Sequence, residues 1–163
     1  IGTEWGQNGD FPAPGDYDND GKNDYVVQRN AGGGQAIFFF NNTTAGVSSL
    51  IFGTPTDVIV PGDYDGDQKT DIATVRGSGG AILWFVRNSS TGTTNQFTFG
   101  ASATDFITQG DWDGDGKTDI GVWRPNADPT QNFFFWRKSS DGTAASAEWG
   151  SNGDYPPANT NTH

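Results

Sequence analysis

The sequence repeats itself with a period near 47 residues, and this period restricts the fold more than any other feature. Gly15-Asp-Tyr-Asp, Gly62-Asp-Tyr-Asp and Gly110-Asp-Trp-Asp start 47 and 48 residues apart. Trp5-Gly6, Phe52-Gly53, Phe99-Gly100 and Trp149-Gly150 recur at 47, 47 and 50. Polar segments around Gly46, Gly92 and Gly142 read Asn-Asn-Thr-Thr-Ala-Gly, Arg-Asn-Ser-Ser-Thr-Gly and Arg-Lys-Ser-Ser-Asp-Gly, one turn in three copies. A period of about 40–50 residues belongs to solenoids, propellers and arrays, whose units bury their apolar faces only against neighbouring units.

Within a period the pattern is all β. In the second repeat, strands are expected at 57–61, 71–76, 81–87 and 95–99. Matching strands are expected near 24–29, 35–41 and 47–52, and near 119–124, 132–138 and 145–149. No segment sustains a helical period. Four short strands per repeat with Gly-rich turns are the arithmetic of a propeller blade. Ile37-Phe-Phe-Phe40, Ile82-Leu-Trp-Phe-Val86 and Phe133-Phe-Phe-Trp136 are continuously apolar. Such runs predict strands covered on both faces, as between packed blades. Core packing is the main reading of these aromatics, and stacking on sugars is a second one.

The acidic residues are 18 Asp and only 2 Glu, Glu4 and Glu148. Twelve of the Asp fall in three nine-residue segments of pattern D-x-D-x-D-x-x-x-D. These hold Asp16, Asp18, Asp20 and Asp24; Asp63, Asp65, Asp67 and Asp71; and Asp111, Asp113, Asp115 and Asp119. Four carboxylates so close together repel one another unless a cation sits among them. Spacing by two in a turning loop aims positions 1, 3 and 5 inward, and position 9 closes the shell. Position 7 adds a backbone carbonyl, as in the EF-hand. That position is Lys22, Lys69 or Lys117, whose side chains cannot ligate a cation, so only their carbonyls are assigned. Hard oxygen donors on a flexible loop favour Ca²⁺, one per loop and three in all. Asp and Gly also serve as plain turn residues, but three copies with identical Asp positions argue against that reading. Gln68 stands where the other loops carry Gly21 and Gly116, at the sharp turn, where a positive φ is expected. Asn19 replaces Gly66 or Gly114, a milder change because Asn tolerates the left-handed region.

These residues resemble the FG-GAP/VCBS repeats over essentially the whole chain. The resemblance is carried by Trp5-Gly6, Pro14-Gly-Asp-Tyr-Asp18, Asp20-Gly-Lys22, Asp24 and their copies, and most closely by Asp111-Trp-Asp-Gly-Asp-Gly-Lys-Thr-Asp-Ile-Gly-Val-Trp-Arg-Pro125. It implies an all-β fold of β-propeller-type blades, each of four antiparallel strands, with Ca²⁺ in each loop, in a secreted or cell-surface protein. Adhesion, protein or glycan binding, and scaffolding are the expected roles. The blades are placed at about 6–52, 53–99 and 100–149, within a single repeat domain over 1–163, and a partial fourth repeat at 150–163.

Closed propellers use about four to eight blades. Three full repeats leave open edges, a pairing liability. Either the sequence is part of a larger protein, or copies of the chain complete the array. Glu148-Trp-Gly-Ser-Asn-Gly-Asp-Tyr-Pro-Pro157 nearly repeats Glu4-Trp-Gly-Gln-Asn-Gly-Asp-Phe-Pro-Ala13. Terminal strands near 1–6 and 145–156 are therefore expected to mediate end-to-end self-association, into a ring or a fibre.

Other functions are excluded by what the sequence lacks. A net charge of -11 argues against nucleic-acid binding. No apolar run is long enough for membrane insertion as a helix. Ile1 is followed by no basic region and apolar stretch, so no signal peptide is expected, and the absence of Met marks the sequence as processed or partial. Cys is absent and the one His is His163, so thiol chemistry and His-based triads are out. Asp10, Asp57, Asp105 and Asp154 recur outside the loops. Catalysis needs one asymmetric site, so they are read as structural partners of Arg29, Arg76 and Arg124, and no enzyme is expected. Gly32-Gly-Gly34 is a flexible turn and not a phosphate loop. Asn41, Asn42 and Asn88 head formal glycosylation sequons in turns expected to be exposed.

Overall fold

The computed structural model describes residues 2–126, 128, 132–151 and 153–156. Its strands are β1 (Phe11–Pro12), β2 (Tyr25–Gly32), β3 (Gln35–Asn42), β4 (Gly46–Ile51), β5 (Val58–Ile59), β6 (Ile72–Ser78), β7 (Ala81–Arg87), β8 (Thr94–Ala101), β9 (Phe106–Ile107), β10 (Ile120–Arg124), β11 (Phe133–Arg137) and β12 (Ala144–Glu148). They form three antiparallel sheets of four strands, β1–β4, β5–β8 and β9–β12, each in sequence order. No helix occurs among the described residues, so none is long and apolar enough to cross a membrane. The expected strands recur within a few residues, and the structure adds β1 and β9, which are only two residues long. The hairpins β2–β3 and β6–β7 turn on Gly33-Gly34 and Gly79-Gly80, all at φ between +58° and +86°. Two consecutive positive φ angles match the twist of the flanking strands.

The sheets stack face to face in chain order. Val26, Phe38 and Phe40 of sheet one pack on Ile59 and Ile72 of sheet two. Ala73, Val75, Ile82, Trp84 and Val86 of sheet two pack on Ile120 and Val122 of sheet three. Among the described residues no apolar cluster joins sheet one to sheet three, so the stack is open.

A backbone ladder ties the stack at one end. Thr70 N donates to the Asp16 carbonyl at 2.7 Å, and Thr118 N donates to the Asp63 carbonyl at 2.6 Å. Each Thr side chain also fills the space above the glycine before that Asp. A Cβ on Gly15 or Gly62 meets Thr70 or Thr118 at 2.6 Å. Only a glycine lets neighbouring loops approach this closely.

The continuous apolar runs have two differently covered faces. In β3, Phe38 and Phe40 are buried while Ile37 and Phe39 are half-buried, and β7 alternates in the same way. Arginines cover part of the second face. Arg29, Arg76 and Arg124 lie 4.6, 4.8 and 5.0 Å from the ring centres of Phe39, Phe85 and Phe135. The same guanidiniums grip Asp10, Asp57 and Asp105 at 2.7 Å. The structural reading of these three Asp is therefore correct. Asp154 has no cationic partner among the described residues.

Two expectations are corrected. No strand forms at 2–6, and Trp5 instead lies half-buried beside Val27, Arg29 and Phe39. Gly6, at φ +84°, turns the chain there into the loop that carries Asp10. At the other end the strand stops at Glu148, short of 156. Much of the partial fourth repeat, including 157–163, lies outside the described residues.

Asp57 is fully buried, whereas the Arg76 side chain is 37% exposed. Arg76→Ala leaves a buried carboxylate without its counter-charge and should cost about 3 kcal/mol in denaturant unfolding. A loss below 1 kcal/mol would mean that Thr54 and Thr74 carry Asp57 unaided. The Arg29 hydrogen bond holds the Asp10 carboxyl below its usual range. Burial pushes the Asp105 carboxyl up, but Arg124, the Ala101 amide and the Thr104 hydroxyl together outweigh it and leave the group below its usual range. Both folded pKa values are thus lower than the unfolded ones. Their contribution is complete above the unfolded pKa, near 3.9, and is lost as the pH falls through the folded values. The Arg29→Ala, Arg124→Ala double variant should therefore lose less stability below about pH 4 than the unmodified chain. Equal acid slopes would exclude these pairs as the cause.

Candidate metal centres

Each Asp-rich loop is the connection into the second strand of a sheet. Its ends are joined by hydrogen bonds of 2.7 Å from Asp24 N to Gly15 O, from Asp71 N to Gly62 O and from Asp119 N to Gly110 O. The position-9 carboxylates are buried, at 1%, 0% and 0% exposure. One oxygen of each accepts from the position-2 amide, that of Tyr17, Tyr64 or Trp112, at 2.8–3.0 Å. The other accepts from the amide of Thr43, Ser89 or Ser139 at 2.6–2.7 Å. The position-2 aromatics reach back four residues. Tyr17 and Tyr64 hydroxyls and Trp112 Nε1 donate to the carbonyls of Ala13, Val60 and Thr108 at 3.0, 2.8 and 2.8 Å.

The position-1 carboxylates organise the loop itself. Asp16 accepts from the amides of Asp20 and Gly21, Asp63 from Gly66, Asp67 and Gln68, and Asp111 from Gly114, Asp115 and Gly116. Donors of this kind turn the chain tightly around one carboxylate, which forces left-handed backbone at the tip. Gln68 sits at φ +69° and Asn19 at +61°. The positive φ expected at Gln68 is present.

The polar turn that closes the third strand onto the fourth steadies positions 3 and 5. Asp18 accepts from the amides of Thr44 and Ala45, and Asp20 from the hydroxyls of Thr43 and Thr44. In the second loop Ser90 and Ser89 hydroxyls donate to Asp65 and Asp67 at 2.6 and 2.8 Å. In the third, Ser140 and Ser139 hydroxyls donate to Asp113 and Asp115 at 2.5 and 2.9 Å. Sequence reasoning identified this turn as a repeat but missed its role. The signal was present: a hydroxyl pair stands at 43–44, 89–90 and 139–140 in every copy. The sequon asparagines Asn41, Asn42 and Asn88 are half-buried, contrary to the expected exposure: the first two end β3, and Asn88 accepts from Asn95 Nδ2.

Carboxylate oxygens converge in all three loops. Asp16, Asp18 and Asp24, then Asp63, Asp65 and Asp71, then Asp111, Asp113 and Asp115 each place oxygens within 4.8 Å of one another. Such clusters fit a metal ion. Two Ca–O bonds of about 2.3–2.6 Å span about 4.6–5.2 Å across a bound ion. Asp18 Oδ1 is buried without any hydrogen-bond partner, an acceptor left over for a ligand. Asp20 and Asp67 lie outside the converging triads of loops one and two, and Asp119 lies outside that of loop three. At position 7, the amides of Lys22, Lys69 and Lys117 donate to the position-5 carboxylates at 2.8–2.9 Å. The Lys22 ammonium also pairs with Asp20 at 3.2 Å. Burial raises the Asp71 carboxyl, while hydrogen bonds from Thr43 and Thr44 lower that of Asp20. These two carboxylates, one in the second loop and one in the first, thus shift in opposite senses, the buried one up and the hydroxyl-bonded one down.

Residues 16–74 and 63–122 each match the FG-GAP-like repeat. The chain belongs to this family. FG-GAP-type repeats are typical of extracellular, adhesion-type modules and are typically non-enzymatic. No curated protein and no solved structure shows significant similarity to the chain.

Gln68 carries a side chain in the left-handed region, which costs about 1 kcal/mol relative to glycine. Gln68→Gly should raise the unfolding free energy by about that amount and tighten any ion held by the second loop. A calorimetric titration and melt with neither gain would show that the loop accommodates Gln68 without strain.

Proposed function

We propose that this FG-GAP repeat protein is a non-catalytic, calcium-stabilised extracellular module that serves adhesion, protein or glycan binding, or scaffolding. The observation that carries this reading is the threefold recurrence of a three-carboxylate cluster on one scaffold of backbone and hydroxyl donors. An all-oxygen donor set of this kind suits a hard cation, and a flexible nine-residue loop suits Ca²⁺ better than the smaller, strictly octahedral Mg²⁺. The proposed ligands are Asp16, Asp18, Asp20 and Asp24; Asp63, Asp65, Asp67 and Asp71; and Asp111, Asp113, Asp115 and Asp119, with the carbonyls of Lys22, Lys69 and Lys117. A bound cation would relieve the repulsion among carboxylates in a chain of net charge -11. It would also fasten the loop ladder through which the sheets stack. The loops repeat symmetrically and hold no nucleophile–base pair, which supports a binding or structural role over catalysis.

At a Ca²⁺ concentration ten times the dissociation constant, one site adds about 1.4 kcal/mol and three independent sites about 4 kcal/mol. For a domain of this size that corresponds to a fall of about 10 °C in Tm when excess chelator is added. Isothermal titration should count three ions per chain. Identical melting curves with and without chelator would sink the calcium reading.

A further inference from the structure

The turn between a Trp-Gly or Phe-Gly pair and the next sheet occurs in four copies, and the fourth is unfinished. In each copy an Asp carboxylate accepts from the amide that follows the glycine: Asp10 from Gln7, Asp57 from Thr54, Asp105 from Ala101 and Asp154 from Ser151, at 2.7–2.9 Å. Inside the chain the turn bridges two sheets. Trp84 Nε1 of sheet two donates to Phe99 O at 2.9 Å, and six residues later Asp105 takes Arg124 of sheet three. The last copy has only the first half of this bridge. Trp123 Nε1 donates to Trp149 O at 3.2 Å and Asn132 Nδ2 donates to Gly150 O at 3.1 Å, so the turn leaves sheet three correctly. No further sheet follows it among the described residues. Asp154 has no cationic partner among the described residues, and Trp149 and Tyr155 are 76% and 74% exposed.

The missing half is present at the other end of the same chain. Tyr25, just after the first Asp-rich loop, is 49% exposed, whereas its equivalents Ile72 and Ile120 are 6% and 4% exposed beneath the preceding sheet. Sheet one therefore shows the face that sheets two and three bury. The loop ladder ends in the same way. Gly15 and Gly62 are closed over by Thr70 and Thr118, but only Trp112 lies within reach of a Cβ on Gly110, at 3.7 Å. Trp112 is itself 40% exposed and stacks on Trp136 at 5.8 Å. The segment at the N-terminal end, Glu4-Trp-Gly-Gln-Asn-Gly-Asp-Phe-Pro12, is nearly the sequence of Glu148-Trp-Gly-Ser-Asn-Gly-Asp-Tyr-Pro156.

We propose that sheet three of one chain docks on sheet one of a second copy by strand exchange: Tyr155 and Pro156 take the place of Phe11 and Pro12 against β2 of that copy, and Asp154 replaces Asp10 on its Arg29. The register is set by the existing pairs Phe11↔Gln28 and Pro12↔Val27. Because donor and displaced segments are nearly identical, the slot accepts either one with little change in its own contacts. What the exchange adds is burial of the Trp112–Trp136 face and the Tyr25 face, both exposed in the single chain. The Asn23 amide of the second copy stands where Thr70 and Thr118 donate, opposite the Asp111 carbonyl. Each junction copies the two inside the chain, so the contact is head to tail and propagates. The proposal rests on the repeat geometry and not on the metal, so it stands or falls separately from the calcium reading.

Sedimentation equilibrium of the full chain at 0.15 M salt with Ca²⁺ tests it. The unmodified chain should self-associate. Asp154→Ala removes a carboxylate whose one hydrogen bond among the described residues is to an exposed turn amide, so it should fold normally and associate at least tenfold more weakly. Asp10→Ala vacates Arg29 for the incoming Asp154 and should associate as tightly as the unmodified chain or more so. Three results would overturn the proposal: an unmodified chain that stays monomeric, an Asp154→Ala variant that associates unchanged, or an Asp10→Ala variant weakened as much as Asp154→Ala.

Discussion

Three buried carboxylates, Asp24, Asp71 and Asp119, hold together parts of the chain that are otherwise far apart in sequence. Each accepts one backbone amide from the start of its own loop and one from the polar turn about 18–20 residues ahead. A carboxylate without exposure must be hydrogen-bonded through both oxygens, because desolvation is too costly otherwise. The loop, the second strand and the third-to-fourth turn of each sheet thereby become one unit. The other carboxylates of the loop are then oriented by what this unit presents to them. Position 1 faces the loop's own amides, and positions 3 and 5 face the hydroxyls of the turn.

The same economy governs contact between sheets. The guanidiniums of Arg29, Arg76 and Arg124 each satisfy a buried carboxylate and cover a phenylalanine at once. This combination lets a strand be apolar on both sides without forming a featureless core. One face meets the next sheet, and the other meets a flat cation that both stacks and donates. Close approach of successive loops depends on Gly15 and Gly62 on one side and the Thr70 and Thr118 methyl and hydroxyl groups on the other. The two junctions within the chain therefore use polar and apolar contacts of the same kind.

Much of this was legible in the sequence because repetition multiplies a weak signal. A single D-x-D-x-D-x-x-x-D segment is a turn with acidic residues. Three copies, at spacings that also return Trp/Phe-Gly and Arg, define a unit, its strands and the positions of its Asp residues. The positive φ at Gln68 could be read from Gly21 and Gly116 at the same position. The Arg–Asp pairing could be read from the constant spacing of 19 residues between Asp10 and Arg29, Asp57 and Arg76, and Asp105 and Arg124. The two-residue strands β1 and β9 escaped because two residues set no periodicity, and the expected strand at 2–6 failed because Gly6 turns the backbone there.

The sequence by itself determined the repeat, its four-stranded unit and the placement of the carboxylates, because all of these follow from local spacing. Which oxygens converge was decided by tertiary structure. Loops one and two gather positions 1, 3 and 9, while loop three gathers 1, 3 and 5, although their Asp spacing is identical. Donors from the polar turn hold the carboxylates in place, and those donors lie some 20 residues away in the chain. Only the folded chain also shows that its two end faces are more exposed than the equivalent faces inside the stack. Exposure of Tyr25 and Trp149 depends on whether a sheet follows in space, and no local pattern records that.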